Sequence, residues 1–229
     1  MATRKVTLPA KGRAAATRRT APVRIPTPQH VRRLQTETAV LASAEALFVQ
    51  HGYHRTTVDQ IATKAGLTKG AVYVHFKDKQ DVLLVLLRRA EERVLVPILE
   101  DLEDPASDPV QKLVNYVHNW AQVAITQYNT MFLPILMSFE FLGTDDPIEH
   151  AIARMYDRTY AALGKVIADG RKAGLIASDG DTREHAAVLV AFMDGLLLEW
   201  LRRGGSLDGE KMTRVSRRMI LSGMVQDHS

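Results

Sequence analysis

The sequence contains no cysteine among its 229 residues. This absence excludes disulfide bonds, thiolate metal sites and a cysteine nucleophile, and it fits a reducing compartment. Long apolar runs are also missing, because Asp194 and Glu199 interrupt the nearest candidate for a membrane span, residues 186–201. The basic N-terminal segment is not followed by an apolar signal core. We therefore expect a cytoplasmic protein that does not enter a membrane.

The motifs of several enzyme classes are absent as well. There is no Gly-x-Ser-x-Gly, no phosphate-binding glycine loop and no His-Glu-x-x-His. His51 and His54 are three residues apart, but Gly52 is expected to end their helix, and two histidines alone do not make a metal site. The sequence thus predicts a protein that is not an enzyme and has no cofactor or bound metal.

Charge is distributed unevenly along the chain. The net charge is +4, yet residues 1–33 carry nine basic side chains and no acidic one, while residues 81–229 have a net charge of −6. A basic end on an otherwise acidic chain indicates a polyanionic partner at that end. Residues 1–30 are rich in Ala, Thr, Pro and Arg without periodicity, which predicts a disordered basic arm. A start-site artefact or a solubilising tail explains that segment equally well.

Almost all of the remaining sequence has the apolar spacing of α-helices. A first apolar stripe, formed by Val40, Leu41, Ala44, Leu47 and Phe48, ends near Gly52. Asp78 begins a long helix, and helical patterns cover roughly residues 78–103, 108–127, 130–142, 147–173, 181–203 and 208–226. Pro97 and Pro134 fall inside two of these and predict a kink or a break. No strand is predicted.

Two short helices joined by a glycine turn follow the first helix, in the stretch TVDQIATKAGLTKGAVYVHF from Thr57. Thr57 and Thr68 are placed to cap them, and Gly66 is placed to end the first in a left-handed conformation. This is a helix-turn-helix pattern, whose second helix enters the major groove of DNA. Lys69, Gly70, Ala71, Tyr73 and His75 are then expected on or near the open face.

The whole segment TTVDQIATKAGLTKGAVYVHFKDKQDVL resembles the DNA-binding domain of the tetracycline-repressor (TetR) family. The resemblance extends over residues 34 to about 85 and implies an all-α fold. Residues 31–77 would form a three-helix helix-turn-helix domain, and residues 78–229 a helical effector-binding and dimerisation domain. It implies that Thr57 and Thr68 are DNA-binding residues as well as helix caps. It also implies that Tyr73 and Lys79 contact phosphate, that Lys69, Gly70 and Ala71 approach base edges, and that His75 has a phosphate or helix-end role. A half-buried core role is the alternative for Tyr73, and Phe76 is expected in the core. The basic arm could follow the minor groove or adjacent phosphates.

The resemblance also implies a homodimer and an effector site, for which the C-terminal half supplies candidates. The helix at 181–203 is apolar on nearly every side, which favours a symmetric four-helix interface with the helix at 208–226. The expected interface residues are Ala187, Ala191, Gly195, Leu198, Met212, Val215 and Met219. One ordinary buried helix in a monomer is the alternative.

Aromatic, methionine and polar residues mix in residues 108–173, as they do in small-molecule cavities. The candidate effector-binding residues are Tyr116, Trp120, Phe132, Met137, Glu140, Arg154 and Trp200. Plain core packing, or surface solvation for Glu140 and Arg154, is the alternative for each.

These features predict a sequence-specific transcriptional regulator that binds a palindromic double-stranded DNA operator. It would act as a repressor that an unidentified small molecule releases by tilting the helix from Asp78, with Pro97 as the point where that helix yields. The alternative is a nonspecific or architectural DNA-binding protein that uses its basic arm, which would show a steep salt dependence and little sequence preference. A membrane-surface protein is a weaker alternative, because the basic residues lack an interleaved apolar face.

Overall fold

The structure, a computed structural model, describes residues 28–177, 180–204 and 206–225. Over these ranges the chain forms ten α-helices and one short π-helical segment, and an isolated bridge between Ile176 and Val225 is the only β pairing. The helices are α1 (Pro28–His51), α2 (Val58–Lys64), α3 (Lys69–Tyr73), α4 (Lys79–Ala90), the π segment (Glu91–Leu95), α5 (Val96–Glu103), α6 (Pro109–Thr126), α7 (Tyr128–Phe141), α8 (Pro147–Lys172), α9 (Thr182–Arg202) and α10 (Gly209–Met224). The predicted all-α fold is confirmed.

The predicted basic arm at residues 1–30 lies almost entirely outside the described residues. The described part begins at residue 28, so the last three positions of that predicted arm already belong to α1.

Local side-chain and glycine signals fix the ends of α2 and α3. The Thr57 hydroxyl accepts a hydrogen bond from the Gln60 N–H at 3.3 Å, and the Gln60 side chain accepts one from the Thr57 N–H at 2.8 Å. Gly66 ends this turn at a φ of +69°, a left-handed conformation that favours glycine. Thr68 caps α3 by accepting from the Ala71 N–H at 3.2 Å. Each of these caps agrees with the prediction, because each depends only on residues two to four positions away.

Among the residues that the structure describes, the helix-turn-helix shares its hydrophobic core with the helical body. Residues from α1, α2, α3 and α4 share one buried cluster with residues from α7 and α8. From the C-terminal half this cluster includes Leu133, Met137, Phe141, Ile148 and Ile152. Val82, Leu83, Leu86 and Leu87 of α4 also belong to this core. The core therefore continues across the predicted domain boundary at residue 77.

The long helix from Lys79 to Glu103 is irregular just before Pro97. The π segment Glu91–Leu95 interrupts it, and the Val96 N–H bonds back to the Glu91 carbonyl, five residues earlier. Because Pro97 has no N–H, it cannot bond to the carbonyl of residue 93, and wider helical turns nearby accommodate that loss. Pro134, in contrast, lies inside α7 without ending it.

The second half of the chain packs around a separate cluster drawn from the π segment and from α5 to α10. The longest helix, α8, packs along α9. One face of α9 is buried in this cluster, through Ala186, Leu189, Val190, Met193 and Leu197. Its opposite face is open in the single chain, where Val188 is 67% exposed.

Candidate DNA interface and ligand cavity

The open face of α2 and α3 presents most of the predicted DNA-binding residues to solvent. Thr57, Thr68, Lys69 and Gly70 are exposed, Tyr73 is half-exposed, and Ala71 is partly exposed. On the inner side of α3, Val72 and Phe76 are buried. Phe76 thus lies in the core, as predicted. The half-exposed Tyr73 is compatible both with the predicted phosphate contact and with the alternative of a half-buried role.

Lys69 forms an ion pair across the helix-turn-helix. Its Nζ donates a hydrogen bond to Asp59 Oδ2 at 2.7 Å, and both side chains are more than half exposed. The hydrogen bond from Lys69 to Asp59 raises the pKa of the lysine. Lys69 therefore stays charged, and the pair joins the first turn of α2 to the first turn of α3.

The ammonium group of Lys79, which was predicted to contact phosphate, binds backbone carbonyl groups of the protein itself. Its Nζ donates to the Tyr53 carbonyl at 2.7 Å and to the Thr56 carbonyl at 2.8 Å, and it lies 4.0 Å from the centroid of the Tyr53 ring. Desolvation by burial lowers the pKa of Lys79. Two of the three donors of this ammonium group are thus used to hold the turn between α1 and α2.

His75, another predicted DNA contact, is only partly exposed. Its Nδ1 is buried and has no hydrogen-bond partner among the described residues. The ring contacts Phe76, with the two ring centroids 6.4 Å apart. The residue as a whole is partly exposed and lies just after the end of α3.

Val74 is an exposed residue that the sequence analysis missed. It is 77% exposed, directly after Tyr73 on the open face. The spacing of Val72 and Phe76 could have indicated this, since two buried residues four positions apart place the residue between them on the outer side.

Glu140 links α7 to the turn between α1 and α2. Its carboxylate accepts hydrogen bonds from the Tyr53 N–H at 2.9 and 3.0 Å and from the His54 N–H at 3.2 Å. Near the start of the same helix, Thr130 donates to Glu45 of α1 at 2.7 Å. Helix α7 is therefore attached by polar contacts to α1 at Glu45 and to the turn that follows α1.

A cavity of about 610 Å³, including its open mouth, lies between the π segment and helices α4 to α9. Its wall is mostly apolar and aromatic. The lining residues are Ala90, Val94, Leu95, Ile98, Tyr116, Trp120, Thr130, Met131, Pro134, Ile135, Met155, Tyr156, Thr159, Val190 and Asp194. This lining suits a mostly apolar organic molecule.

The structure brings together two of the seven predicted effector-binding residues in this cavity, Tyr116 and Trp120. Trp200 lines a neighbouring cleft that Trp120 also borders, and its indole N–H donates to the Leu207 carbonyl at 3.1 Å. The other four lie elsewhere. Phe132 packs against the C-terminal cluster, Met137 is fully buried in the core shared with the helix-turn-helix, Glu140 holds the α1–α2 turn, and Arg154 is exposed.

Asp194 of α9 is the one charged side chain that the structure places in the cavity wall. The Tyr156 hydroxyl donates to its Oδ2 at 2.8 Å. Burial raises the pKa of Asp194 to about 6, although the hydrogen bond from Tyr156 opposes that shift. In the sequence, Asp194 is visible only as a charge that interrupts an apolar helix, and that interruption is the signal that could have identified it.

The predicted dimer residues lie on the outer side of α9 and α10. Ala187, Ala191 and Gly195 are exposed, and Val215 and Met219 are more than half exposed. Leu198 and Met212 are partly buried.

Across the described ranges, no helix is both long and apolar enough to cross a membrane.

These features define a helix-turn-helix regulator with a helical body that encloses a cavity. Residues 40–86 match the family model described as bacterial regulatory proteins, tetR family, and residues 143–223 match that of the BetI-type transcriptional repressor, C-terminal. The crystal structure of the MbdR regulator from Azoarcus sp. CIB is 37% identical, covers 82% of this chain and 98% of its own, and superposes with a TM-score of 0.76.

Two further relatives are repressors. The HTH-type transcriptional repressor BepR of Brucella suis biovar 1 (strain 1330) is 29% identical over 73% of this chain and 81% of its own length. The structure of NalD, the secondary repressor of the MexAB-OprM multidrug efflux pump in Pseudomonas aeruginosa, is 26% identical with a TM-score of 0.71, and covers 86% of this chain and 99% of its own. The chain belongs to the TetR family. It is a sequence-specific DNA-binding transcriptional regulator, in a family of regulators rather than of enzymes.

Proposed function

We propose that the protein is a homodimeric repressor that binds a palindromic operator and leaves it when a small molecule occupies the cavity of each protomer. In this proposal residues 31–77 form the DNA-binding domain and residues 78–229 the effector and dimerisation domain. The observation that carries it is the path through α7, which lines the cavity at Thr130, Met131 and Pro134 and holds the α1–α2 turn through Glu140.

On the DNA side, the exposed residues of α2 and α3 divide by chemistry. The hydroxyls of Thr57, Thr68 and Tyr73 suit phosphate oxygens, since phosphate contacts fix the position of a protein on the duplex. Lys69 and the small residues Gly70 and Ala71 allow close approach to base edges. Val74 is the candidate for an apolar contact with a thymine methyl group.

Lys79 and His75 would stabilise the backbone next to that surface. Lys79 holds the α1–α2 turn and places a positive charge beside the DNA-binding face, with one N–H donor left for a phosphate. His75 fixes the end of α3 through ring packing.

The dimer would form through α9 and α10. Their outer sides combine small residues, which permit close helix approach, with exposed apolar side chains that a soluble protein usually covers. A two-fold axis there would place two copies of α3 on the DNA, and half-sites one helical turn apart would fit them.

The effector would act through the contacts of α7 with α1. A molecule that displaces the cavity wall at Thr130 and Pro134 shifts the helix that also carries Glu140. Because Glu140 accepts three contacts from the backbone of the α1–α2 turn, that shift changes how the helix-turn-helix sits on the body. The π segment lies in the wall of the same cavity and is the second place where the long helix can adjust.

Selection of bound sequences from a random duplex library tests the DNA-binding part of the proposal. We expect one palindrome, bound much better than random DNA, with binding weakened in Tyr73→Ala. Tyr128→Ala is the matched control, because Tyr128 is 42% exposed, close to the 48% of Tyr73, but lies at the start of α7. Recovery of no enriched site, with affinity that only falls with salt, would instead indicate a nonspecific DNA-binding protein.

Sedimentation tests the dimer. Ala191→Glu places a charge on the outer side of α9 and is expected to give a folded monomer with weak operator binding. Ala153→Glu is the control, because Ala153 is also exposed but lies on α8. Equal sedimentation of the two variants and the parent would argue against this interface.

A further inference from the structure

We propose that the effector is an apolar, cationic molecule, such as a protonated aromatic amine, whose ammonium group binds the carboxylate of Asp194. This inference rests on the proposed function, since it identifies the chemical class that the cavity would take.

Asp194 has a negative charge without a basic partner in the cavity wall that the structure describes. It lies on α9 with its carboxylate at the cavity wall, and its only hydrogen-bond partner among the described residues is the Tyr156 hydroxyl. No lysine, arginine or histidine lines the cavity in the described ranges. A carboxylate in such surroundings lacks a counter-ion, and a buried charge is stable only when it is paired.

The wall of the cavity is also rich in aromatic side chains. Tyr116, Trp120 and Tyr156 line the same cavity as Asp194. The faces of such rings attract cations, most strongly where water is excluded. The remaining lining is aliphatic, thioether and hydroxyl, so an apolar body with one positive group matches the wall better than a polar or anionic ligand.

The neighbouring groups leave the negative charge of Asp194 uncompensated. The titratable side chains that act on it are tyrosines: Tyr116 from α6, with Tyr156 and Tyr160 from α8. Burial raises the pKa of all three, so they stay neutral across the physiological range. The Tyr156 hydroxyl can donate to one carboxylate oxygen while a ligand ammonium donates to the other.

An anionic ligand would meet the opposite situation. Its carboxylate or phosphate would lie near Asp194 with no basic side chain in the described wall to neutralise it, and like charges repel strongly at low dielectric. A neutral alcohol could donate a hydrogen bond to Asp194 but would leave its charge unpaired. The cavity should therefore rank ligands of one shape as amine first, alcohol second and carboxylate last.

Isothermal titration calorimetry with three matched probes tests this order. The probes are 2-(1-naphthyl)ethylamine, 2-(1-naphthyl)ethanol and the carboxylate 1-naphthaleneacetate. All three share one ring system and a two-carbon arm. We expect the amine to bind at least about tenfold more tightly than the alcohol, as charge-assisted hydrogen bonds to a buried group do. The carboxylate should bind most weakly.

Asp194→Asn assigns the preference to this residue. Asparagine keeps the shape and can still accept from Tyr156, so the variant should bind the amine about tenfold more weakly and the alcohol unchanged. Asp169→Asn is the matched control, because Asp169 is an exposed carboxylate on α8. Retention of the amine preference in Asp194→Asn would overturn the inference. In the unaltered protein, tighter binding of the carboxylate than of the amine, or no binding of the amine, would overturn it as well.

Two further measurements keep this test independent of folding and of the proposed function. In the unaltered protein, amine affinity should fall as the pH drops through about 6, where Asp194 takes up a proton, while alcohol affinity stays constant. A pH-independent amine affinity counts against the inference. Release of the operator is measured separately. Amine binding that depends on Asp194 but does not release the operator would contradict the proposed function alone. Operator release by a ligand whose affinity is the same in Asp194→Asn would contradict this inference alone.

Discussion

Replacing Asp194 with asparagine should stabilise the ligand-free protein at neutral pH. The pKa of this carboxyl group is raised to about 6 from an ordinary value of 3.8, chiefly by burial. Each pKa unit corresponds to about 1.4 kcal/mol, so the ionised carboxylate costs the folded state up to about 3 kcal/mol. Asparagine removes that cost and keeps an acceptor for the Tyr156 hydroxyl.

The pH dependence gives this prediction its sign. Well below the ordinary pKa of 3.8, the aspartate is protonated in both the folded and the unfolded state, so the variant gains little. As the pH rises from 4 to 6 the unfolded state ionises first, and the original protein loses stability relative to the variant. Above pH 6 to 7 both states are ionised and the difference stays constant.

Thermal unfolding at pH 5 and pH 8, at one fixed protein concentration, measures the effect. For a chain of this length, ~3 kcal/mol corresponds to a rise in Tm of roughly 6–12 °C, an upper bound reached at pH 8 and about half that at pH 5. Asp169→Asn should change the Tm little at either pH, since its carboxylate is exposed. A lower Tm for Asp194→Asn at both pH values, or a difference that does not change with pH, would refute the reasoning.

Three further substitutions test the contacts around the helix-turn-helix. Gly52→Ala should destabilise the fold more than Gly66→Ala, as measured by urea denaturation. Both residues have a positive φ, which costs alanine about 1 kcal/mol. An added Cβ at Gly52 would also lie 2.7 Å from Glu140 Oε1, whereas a Cβ at Gly66 would have no atom within 4 Å. Glu140→Gln should cost about 1–2 kcal/mol and weaken operator binding, because an amide cannot accept all three backbone contacts; unchanged stability and affinity would contradict this role. Thr57→Ala should cost about 1 kcal/mol and Thr57→Ser much less, since serine keeps the cap; equal losses would show that the cap is not the cause.

Local signals explain what the sequence could predict. The caps at Thr57 and Thr68 and the left-handed Gly66 depend on neighbours within a few residues, so their chemistry is visible in a single chain segment. The helix-turn-helix and the apolar helices follow from the same kind of short-range spacing.

Contacts between distant segments explain what the sequence could not predict. Glu140 lies 86 residues after His54, and no local pattern tells that its partners are backbone N–H groups rather than solvent. Met137 and Tyr116 were both predicted to bind an effector, yet Met137 is sealed in a core and Tyr116 lines a cavity. That difference arises only when helices from both halves of the chain pack together.

The core shared by α1 to α4 with α7 and α8 has a consequence for protein engineering. A chimera that joins residues 31–77 to the body of another regulator would leave apolar side chains of α1 to α3 facing a surface that they do not fit. Leu133, Met137, Phe141, Ile148 and Ile152 would have to be transferred with the segment, although they lie more than fifty residues beyond it. Exchange of operator specificity between such regulators is therefore better made by changing the exposed residues of α3 alone.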